Sequence, residues 1–292
     1  MKIRHLTIAS LLLGLIPLFA AADPLVGQSG SMQTFTYKKT AEKELQIFVH
    51  FPADWKPTDA RPAMVFFFGG GWTKGNPGQF LKQAEYFASR GVVTARADYR
   101  LNIGPTLAVE DAKSAIRYVR SHAKEFGIDP SRIIGSGGSA GGHLAAATAL
   151  CPGIDAAGED SSISSRPNVM VLFNPVMDMR QLAERFKLTA DQASAISPNV
   201  FEAKDSPPCV MFFGSEDQLA AYARDYISAS KKLGNRAELY IAPGQKHGFF
   251  NASPWTEATA RQADQFLTSL GYLKGDPTLQ LPAGRDAKLQ QQ

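Results

Sequence analysis

Apolar runs recur along the chain, and the first of them differs in pattern from the rest. The segment ELQIFVHFP (44–52) alternates between apolar and polar residues. Such alternation predicts a strand with one buried face. The run PAMVFFF (62–68) is continuous, which is typical of a strand covered on both faces. Three more apolar strands are predicted: NVMVLFN (168–174), PCVMFFG (208–214) and AELYIA (237–242).

Helical segments lie between these runs. Apolar residues recur at helical spacing over 79–91, and 106–127 has the strongest amphipathic pattern in the chain. Residues 92–100, which follow the first helix, return to a strand pattern, and 132–150 contain a short strand, a glycine-rich turn and an alanine-rich helix. Strands that alternate with helices predict one α/β domain. We expect a mostly parallel sheet of about eight strands with helices on both faces.

Two segments stand apart from this alternation. Residues 178–200 are helical and of mixed polarity, and lie between two predicted strands, so they are a candidate for a small lid. Residues 275–292 contain glycine, proline and three terminal glutamines, which predicts a flexible tail. No repeat and no Pro/Gly-rich linker divides residues 23–274, which we interpret as one catalytic domain.

The N-terminus is typical of an export signal. Lys2 and Arg4 precede an apolar run that ends in three alanines, so we interpret residues 1–22 as a signal peptide. The run is shorter than the roughly 20 residues that a membrane-spanning helix needs. We therefore expect a secreted or periplasmic protein with no membrane attachment after cleavage.

The composition and net charge limit the kinds of binding partner that we expect. The chain has 292 residues, of which 44% are hydrophobic and 20% charged, which is typical of a globular protein. Cleavage of the signal would remove Lys2 and Arg4 and lower the formal net charge from +4 to +2. No cluster of basic residues is interleaved with aromatic ones, so a nucleic-acid partner is not expected.

The two cysteines, Cys151 and Cys209, have no metal-ligand spacing. Export permits a disulfide between them. Each lies beside the end of a predicted element, however, which does not favour pairing. We expect neither a metal nor a cofactor.

The segment GGSAG (137–141) fits the pattern G-x-S-x-G, with a strand before it and a helix after it. Glycines at both ends allow a sharp turn that exposes the serine hydroxyl, so Ser139 is the candidate nucleophile. An overlapping match to a relaxed dinucleotide fingerprint, Gly135-x-Gly137-x-x-Ala140, is rejected. Its acidic residue, Asp155, lies in an irregular loop and not at the end of the next strand.

A serine hydroxyl needs a base to take its proton. His247 lies in the loop after the last long predicted strand and is the candidate, whereas His143, on the helix that begins at Ser139, has a structural interpretation. The acid that orients the imidazole follows the serine in this chain order. Asp217 is favoured, and Asp178 is the rival, with helix capping as its alternative role.

The stretch VFFFGGGWTKG (65–75) ends a predicted strand in three glycines. Acyl transfer builds negative charge on a carbonyl oxygen, and backbone amides can stabilise that charge. We expect the amides of Gly70, Gly71 and Ala140 to form this oxyanion hole. Trp72 is expected at the mouth of the site, in contact with substrate.

Seven segments together resemble the bacterial branch of α/β-hydrolases that includes hormone-sensitive-lipase-like and feruloyl- and acetylxylan-esterase-like enzymes. The resemblance covers about residues 44–273 and implies the same triad and oxyanion residues. The segments are GGGW (69–72), ADYRL (97–101), GIDPSRI (127–133), GSAGGHLAA (138–146), SPNVFEAKDSPP (197–208), GSEDQL (214–219) and GQKHGFFN (244–251).

The chain departs from this family at two points. Phe68 stands where the family usually has a histidine, and we expect its ring to pack in apolar surroundings beneath the glycine loop. We also expect no large N-terminal cap of the kind that the lipase-like members have.

These features together predict a serine carboxylic ester hydrolase that acts through an acyl-enzyme. The substrate would be a small ester or an acetyl or feruloyl ester on a polysaccharide. Two alternatives stay open at this point: a serine exopeptidase on the same fold, and a non-catalytic binding protein with a hydrolase-like domain.

Overall fold

The computed structural model describes residues 30–284 and 286–292. The predicted signal peptide, residues 1–22, lies outside the described residues. Among the helices of the described chain, none is both long enough and apolar enough to cross a membrane.

The described chain contains nine strands and seven α-helices. The strands are β1 (Met32–Lys39), β2 (Glu44–His50), β3 (Arg61–Phe67), β4 (Val93–Ala97), β5 (Ile128–Gly138), β6 (Val169–Phe173), β7 (Cys209–Gly214), β8 (Ala237–Ala242) and β9 (Gln290–Gln291). The helices are α1 (Leu81–Ser89), α2 (Pro105–Ser121), α3 (Ala140–Leu150), α4 (Ala183–Phe186), α5 (Ala190–Ala195), α6 (Ala220–Lys232) and α7 (Trp255–Ser269).

All nine strands form one sheet in the order β1-β2-β4-β3-β5-β6-β7-β8-β9. The six strands from β4 to β8 in this order are parallel, and β1, β2 and β9 pair antiparallel at the edges. The predicted mostly parallel sheet is confirmed, with nine strands where about eight were expected. No strand was predicted at β1 or β9, because both segments are largely polar and β1 buries only Phe35.

Two apolar layers sandwich the sheet, and successive residues of β3 alternate between them. Val65 and Phe67 pack in the layer formed with α2, α3 and α6, whereas Met64 and Phe66 pack in the layer formed with α1 and α7. This alternation follows from the two-residue period of a strand. Every residue of β3 after Arg61 is therefore buried, as its continuous apolar run predicted.

The end of the chain differs from the expected flexible tail. Residues Gln290 and Gln291 pair with β8, and the amide of Gln292 donates a hydrogen bond to the carbonyl oxygen of Leu239. Ala287 is buried. The unpaired edge of β8 offers backbone groups to any extended segment, so polar residues without a strand pattern can still pair there.

The segment 178–200 consists of short helices, as its mixed pattern indicated. It contains α4, α5 and the 3₁₀ turns Met179–Leu182 and Pro198–Val200. It packs over the start of α3, where the carbonyl oxygen of Ile196 lies 2.7 Å from His143 Nε2. The segment therefore covers one side of the loops that follow the parallel strands. Its movement as a lid stays a prediction.

Candidate active site

Ser139 lies on a sharp turn between β5 and α3, with backbone angles φ 53° and ψ −117°. A non-glycine residue in this conformation costs about 1–3 kcal/mol, a strain often found at functional sites. The turn depends on close packing behind it. A Cβ atom on Gly141 would lie 2.0 Å from the carbonyl oxygen of Phe67, and one on Gly137 would lie 2.4 Å from that of Gly141. The two glycines of the motif therefore permit the turn that presents Ser139.

Ser139, His247 and Asp217 form a hydrogen-bonded chain. His247 Nδ1 lies 2.7 Å from Asp217 Oδ2, and His247 Nε2 lies 2.8 Å from Ser139 Oγ. Since the Asp217 carboxylate can only accept, the Nδ1–H group donates to it, which leaves Nε2 to accept from the serine hydroxyl. The Asp217 side chain is 3% exposed, whereas that of His247 is 41% exposed. The buried acid thus holds an imidazole that faces solvent.

The loops that carry Asp217 and His247 are joined directly. The amide of Glu216 donates to the carbonyl oxygen of Gln245 at 2.9 Å, and the amide of Gly244 donates to Ser215 Oγ at 2.8 Å. A Cβ atom on Gly214 would lie only 2.0 Å from the oxygen of Gln245, so a side chain there would prevent this approach. The neighbouring positions of β7 and β8 in the sheet therefore bring the acid to the base.

The rival acid, Asp178, does not contact His247. Its Oδ1 accepts from the amide of Arg180 at 3.0 Å, and its Oδ2 lies 2.7 Å from the Arg180 guanidinium. Burial would raise the pKa of Asp178, but the hydrogen bonds from Arg180 outweigh it and lower the pKa overall. The structure thus gives Asp178 the alternative role considered from the sequence, that of capping the turn which begins the 178–200 segment.

The glycine loop lies beside Ser139. Gly70 and Gly71 have φ angles of 127° and 65°, and a Cβ atom on Gly70 would lie 1.9 Å from the carbonyl oxygen of Lys74. Within the described residues, neither the Gly70 nor the Gly71 amide has a protein acceptor. Ala140, the third expected donor, is the first residue of α3 and directly follows Ser139. The arrangement leaves loop amides available to a ligand oxygen.

Phe68 packs beneath this loop, as expected. Its side chain is 1% exposed and belongs to the apolar layer with α2 and α3. Its ring stacks on that of Tyr99 with the centroids 4.2 Å apart. The position therefore contributes apolar packing and carries no polar side-chain group toward the cavity.

Trp72 does not have the position expected for it. It is 2% exposed and does not line the cavity around Ser139. Its ring packs edge-on against Phe186 of α4 and against His143 of α3, with centroids 5.1 and 5.2 Å away. The segment 178–200 covers the indole, because a large apolar ring is more stable buried than at a wet rim. Trp72 thus packs behind the wall of the cavity and is not exposed at the mouth of the cavity.

His143 is fully buried, and its Nε2 donates to the carbonyl oxygen of Ile196. Burial lowers its pKa to about 4, and the hydrogen bond to Ile196 only partly offsets this effect. His143 is therefore held neutral inside the fold, in agreement with the structural role inferred from the sequence.

A second chain of hydrogen bonds, which sequence reasoning missed, connects the glycine loop to the His247 loop. The amide of Gly69 donates to Gln79 Oε1 at 2.6 Å, and Gln79 Nε2 donates to Asn251 Oδ1 at 3.0 Å. Asn251 Nδ2 in turn donates to the carbonyl oxygen of Gly248 at 2.9 Å. Nothing in the local sequence around Gln79 indicates this role, because its partners lie 10 and 172 residues away.

Asn174 is another residue that sequence reasoning did not select. It follows β6, is fully buried, and its Oδ1 accepts from the amide of Gly248 at 3.0 Å. Its Nδ2 lies 3.4 Å from His247 Nε2. Its place at the carboxyl end of a central parallel strand was the available signal, since ligands bind at that edge.

The cavity beside Ser139 has a volume of about 450 Å³, and its lining combines glycines and Phe250 with polar side chains such as Gln79 and Asn251. Among the described residues, no group of three His, Cys, Asp or Glu side chains is placed to hold a metal ion. Asp155, the acid of the rejected dinucleotide fingerprint, pairs with Arg117, and neither residue lines this cavity. The arrangement brings together a hydroxyl group, an imidazole and unpaired backbone amides, which are the functional groups that acyl transfer requires.

The family model BD-FAE matches residues 49–231, which is more than half of the chain. The chain belongs to the BD-FAE family. This agrees with the resemblance stated from the sequence motifs, and the nine-stranded, mostly parallel sheet is that of an α/β-hydrolase.

Relatives of this BD-FAE chain include two curated esterases. One is the acetylxylan esterase of Xylanibacter ruminicola, which is 26% identical over 86% of this chain and 52% of its own length. The other is the probable carboxylic ester hydrolase LipM of Mycobacterium tuberculosis, 29% identical over 73% of this chain and 55% of its own. The chain thus spans about half the length of these curated relatives.

A solved structure matches over nearly its whole length. The propionate-bound thermophilic esterase Est2 of Thermogutta terrifontis superposes on this BD-FAE chain with a TM-score of 0.79 and 43% identity. The match covers 84% of this chain and 96% of that one. The fold and the esterase class therefore agree between the sequence family and the structural comparison.

Proposed function

We propose that Ser139, His247 and Asp217 are the catalytic triad of a serine carboxylic ester hydrolase that forms an acyl-enzyme. The observation that carries the proposal is the 2.8 Å contact between Ser139 Oγ and His247 Nε2, on a serine held in a strained turn. That distance lies within the range for proton transfer by a general base.

In the first step, His247 Nε2 removes the hydroxyl proton as Ser139 Oγ attacks the ester carbonyl carbon. Asp217 accepts the Nδ1–H bond of the imidazole and stabilises the imidazolium that forms. The tetrahedral intermediate then collapses, the bond to the alcohol oxygen breaks, and His247 returns the proton to that oxygen. The acyl group is left on Ser139.

In the second step, His247 takes a proton from water, and the hydroxide attacks the acyl-enzyme carbonyl carbon. The acid is released and Ser139 regains its proton. In both steps the carbonyl oxygen becomes negative, and the amides of Gly70, Gly71 and Ala140 would stabilise it. Loss of one such donor typically costs about 10²–10³ in rate.

We infer that the substrates are carboxylic esters outside the cytoplasm, including acetyl or feruloyl groups on polysaccharides. The cavity beside Ser139, of about 450 Å³, is large enough to admit an acyl group. The acetylxylan esterase of X. ruminicola and the propionate-bound esterase of T. terrifontis support this choice. The N-terminal pattern of residues 1–22 supports export. The relatives named here are esterases, and they lend no support to the exopeptidase or non-catalytic alternatives.

The triad is tested with purified residues 23–292 and p-nitrophenyl acetate and butyrate. Ser139→Ala should lower kcat/KM at least about a thousandfold, because the nucleophile is lost. Ser121→Ala, at an exposed serine on α2, is the matched control and should retain activity. Equal activity in the Ser139 variant and the control would contradict the assignment.

The polysaccharide substrate needs a separate comparison. Acetate and ferulate release would be measured from acetylated and feruloylated xylans with the same enzyme preparation. Release of either acid that disappears in Ser139→Ala would support a polysaccharide esterase. Activity on p-nitrophenyl esters with no release from either xylan would restrict the proposal to small esters.

A further inference from the structure

Two cationic side chains lie against the glycine loop. Lys74 and Arg185 are both exposed, and both line the cavity that contains Ser139 and His247. A Cβ atom built on Gly70 would lie 3.3 Å from Lys74 Cγ, and one built on Gly71 would lie 3.3 Å from a terminal nitrogen of Arg185. The Lys74 side chain and the Arg185 guanidinium thus lie beside the two glycines whose amides the proposed mechanism assigns to the oxyanion hole.

Neither cation is neutralised by the protein. Within residues 30–284 and 286–292, neither Lys74 nor Arg185 has a carboxylate at ion-pair distance. The described lining contains no aspartate or glutamate, and its ionisable residues are Lys74, Arg185 and His247. By contrast, the buried Arg100 is paired with Asp111 at 2.8 Å. The cavity therefore has an uncompensated positive field, which favours anionic ligands.

Arg185 is also held in place by packing. It lies on α4, whose Phe186 packs on the buried ring of Trp72. Its guanidinium carbon lies 5.2 Å from the centroid of the Phe186 ring, close enough for a cation–π interaction. An exposed arginine is ordinarily a solvated surface group. Here the contacts of the neighbouring phenylalanine fix the backbone from which Arg185 reaches the glycine loop.

We propose that the preferred esters carry a carboxylate or another fixed negative charge close to the scissile bond, which Lys74 and Arg185 attract. The inference rests on the proposed esterase function of this site. The anion could belong to the acyl part, as in a half-ester of a dicarboxylic acid, or to the alcohol part, as in an acylated sugar acid. Both arrangements present the same chemistry to the two cations.

The experiment compares esters that differ in one charge. For the acyl side, monoethyl succinate is compared with ethyl butyrate, and for the alcohol side, 3-acetoxybenzoate with 3-acetoxybenzamide. Release of acid is followed by pH-stat titration. At low salt, kcat/KM for the anionic ester should exceed that for its neutral counterpart about tenfold in at least one pair. Most of this difference should come from a lower KM for the anionic ester. The anionic-to-neutral ratio of kcat/KM should fall in 0.5 M NaCl, because the attraction between exposed charges is screened.

Variants that remove one charge test whether Lys74 and Arg185 cause the preference for anionic esters. Arg185→Gln and Lys74→Gln should each lower the anionic-to-neutral ratio about threefold, within the range measured for exposed ion pairs. The double variant should bring the ratio near one. Lys232→Gln, at an exposed lysine on α6 outside the cavity lining, removes the same charge and should leave the ratio unchanged.

The outcomes separate this inference from the function on which it rests. Ser139-dependent hydrolysis of neutral esters with a ratio at or below one for both pairs would overturn the charge preference and leave the esterase function standing. Gln variants that slow the hydrolysis of anionic and neutral esters equally would also overturn the charge preference, since that result assigns the cations to the general stabilisation of the oxyanion. Hydrolysis of none of the four esters, nor of p-nitrophenyl butyrate, would overturn both proposals.

Discussion

The hydroxyl of Tyr99 donates a 2.8 Å hydrogen bond to the carbonyl oxygen of Phe68, and the two rings stack with their centroids 4.2 Å apart. Phe68 is the last residue before the three glycines, and Tyr99 follows β4, the neighbouring strand in the sheet. Together these contacts support the glycine loop from the residue that precedes it. Burial raises the pKa of Tyr99 well above its usual value, so the phenol remains a donor at every working pH.

Tyr99→Phe keeps the stacked ring and removes only the hydroxyl. The carbonyl oxygen of Phe68 would then lose a buried partner, which typically costs about 1–3 kcal/mol. We expect the free energy of unfolding in urea to fall by this amount and kcat to fall severalfold, since the loop loses one anchor. Unchanged stability and unchanged kcat would show that the hydrogen bond does not support the loop.

Phe68→His is expected to reduce stability more than turnover. An imidazole in this apolar site loses packing and buries polar atoms without partners, at a cost on the order of 2 kcal/mol. The proposed oxyanion donors are backbone amides of other residues, so kcat at a temperature where the variant is folded should change less than about threefold. A large gain in kcat at unchanged melting temperature would contradict this interpretation of the position.

Asp217→Asn should lower kcat by about 10³–10⁴, because an amide favours the wrong imidazole tautomer. Asp178→Asn is the matched control, since this acid binds Arg180 at the start of the 178–200 segment. Steady-state kinetics on p-nitrophenyl butyrate should show at most a small loss for the control. A larger loss in the Asp178 variant than in the Asp217 variant would reverse the assignment of the acid.

Gln79→Met and Asn251→Ala interrupt the hydrogen bonds that connect the glycine loop to the His247 loop. Each variant should lower kcat by about fivefold, which corresponds to one net hydrogen bond of about 1 kcal/mol. Because both side chains belong to one chain of contacts, the double variant should lose less than the product of the single losses. Strictly multiplicative losses in the double-mutant cycle would show that the two residues act independently.

His143→Gln should reduce the dependence of stability on pH. Burial lowers the pKa of His143 to about 4 in the folded state, below its usual value near 6.5. The unfolded chain therefore binds the additional proton between these values, so stability is complete above about pH 6.5 and is lost as pH falls toward 4. Between pH 7 and 4.5 this group should cost the wild type about 2–3 kcal/mol.

Urea unfolding of both proteins at pH 7 and 4.5 measures this difference. Glutamine can still donate to the Ile196 carbonyl oxygen, and carboxylate effects cancel between the two proteins. Burial and the nearby charge of Arg96 also lower the pKa of His50 to about 4, so the variant should retain part of the acid sensitivity. An identical loss of stability in the two proteins would show that His143 does not contribute.

Most of the fold follows from the sequence, because its signals are local. Apolar runs identified β3, β6, β7 and β8, since a strand covered on both faces is mostly apolar, and the strand patterns within 92–100 and 132–150 identified β4 and β5. The pattern around Ser139 predicted a sharp turn between a strand and a helix, because only glycines at 137 and 141 admit the neighbouring backbone. The edge strands β1 and β9 were not found, since their pairing depends on an available edge and not on their own composition.

The tertiary structure decided those features of the site that depend on contacts between residues far apart in the sequence. The sequence alone could rank Asp217 above Asp178, but the distance to His247 follows from the adjacent positions of β7 and β8 in the sheet. The burial of Trp72 follows from the path of the 178–200 segment, which local patterns do not specify. The contact between Tyr99 and Phe68, and the place of Arg185 beside Gly71, likewise arise only when separate strands and loops pack together. Backbone preferences act over a few residues, whereas a site is assembled by packing and hydrogen bonds between elements far apart in the chain.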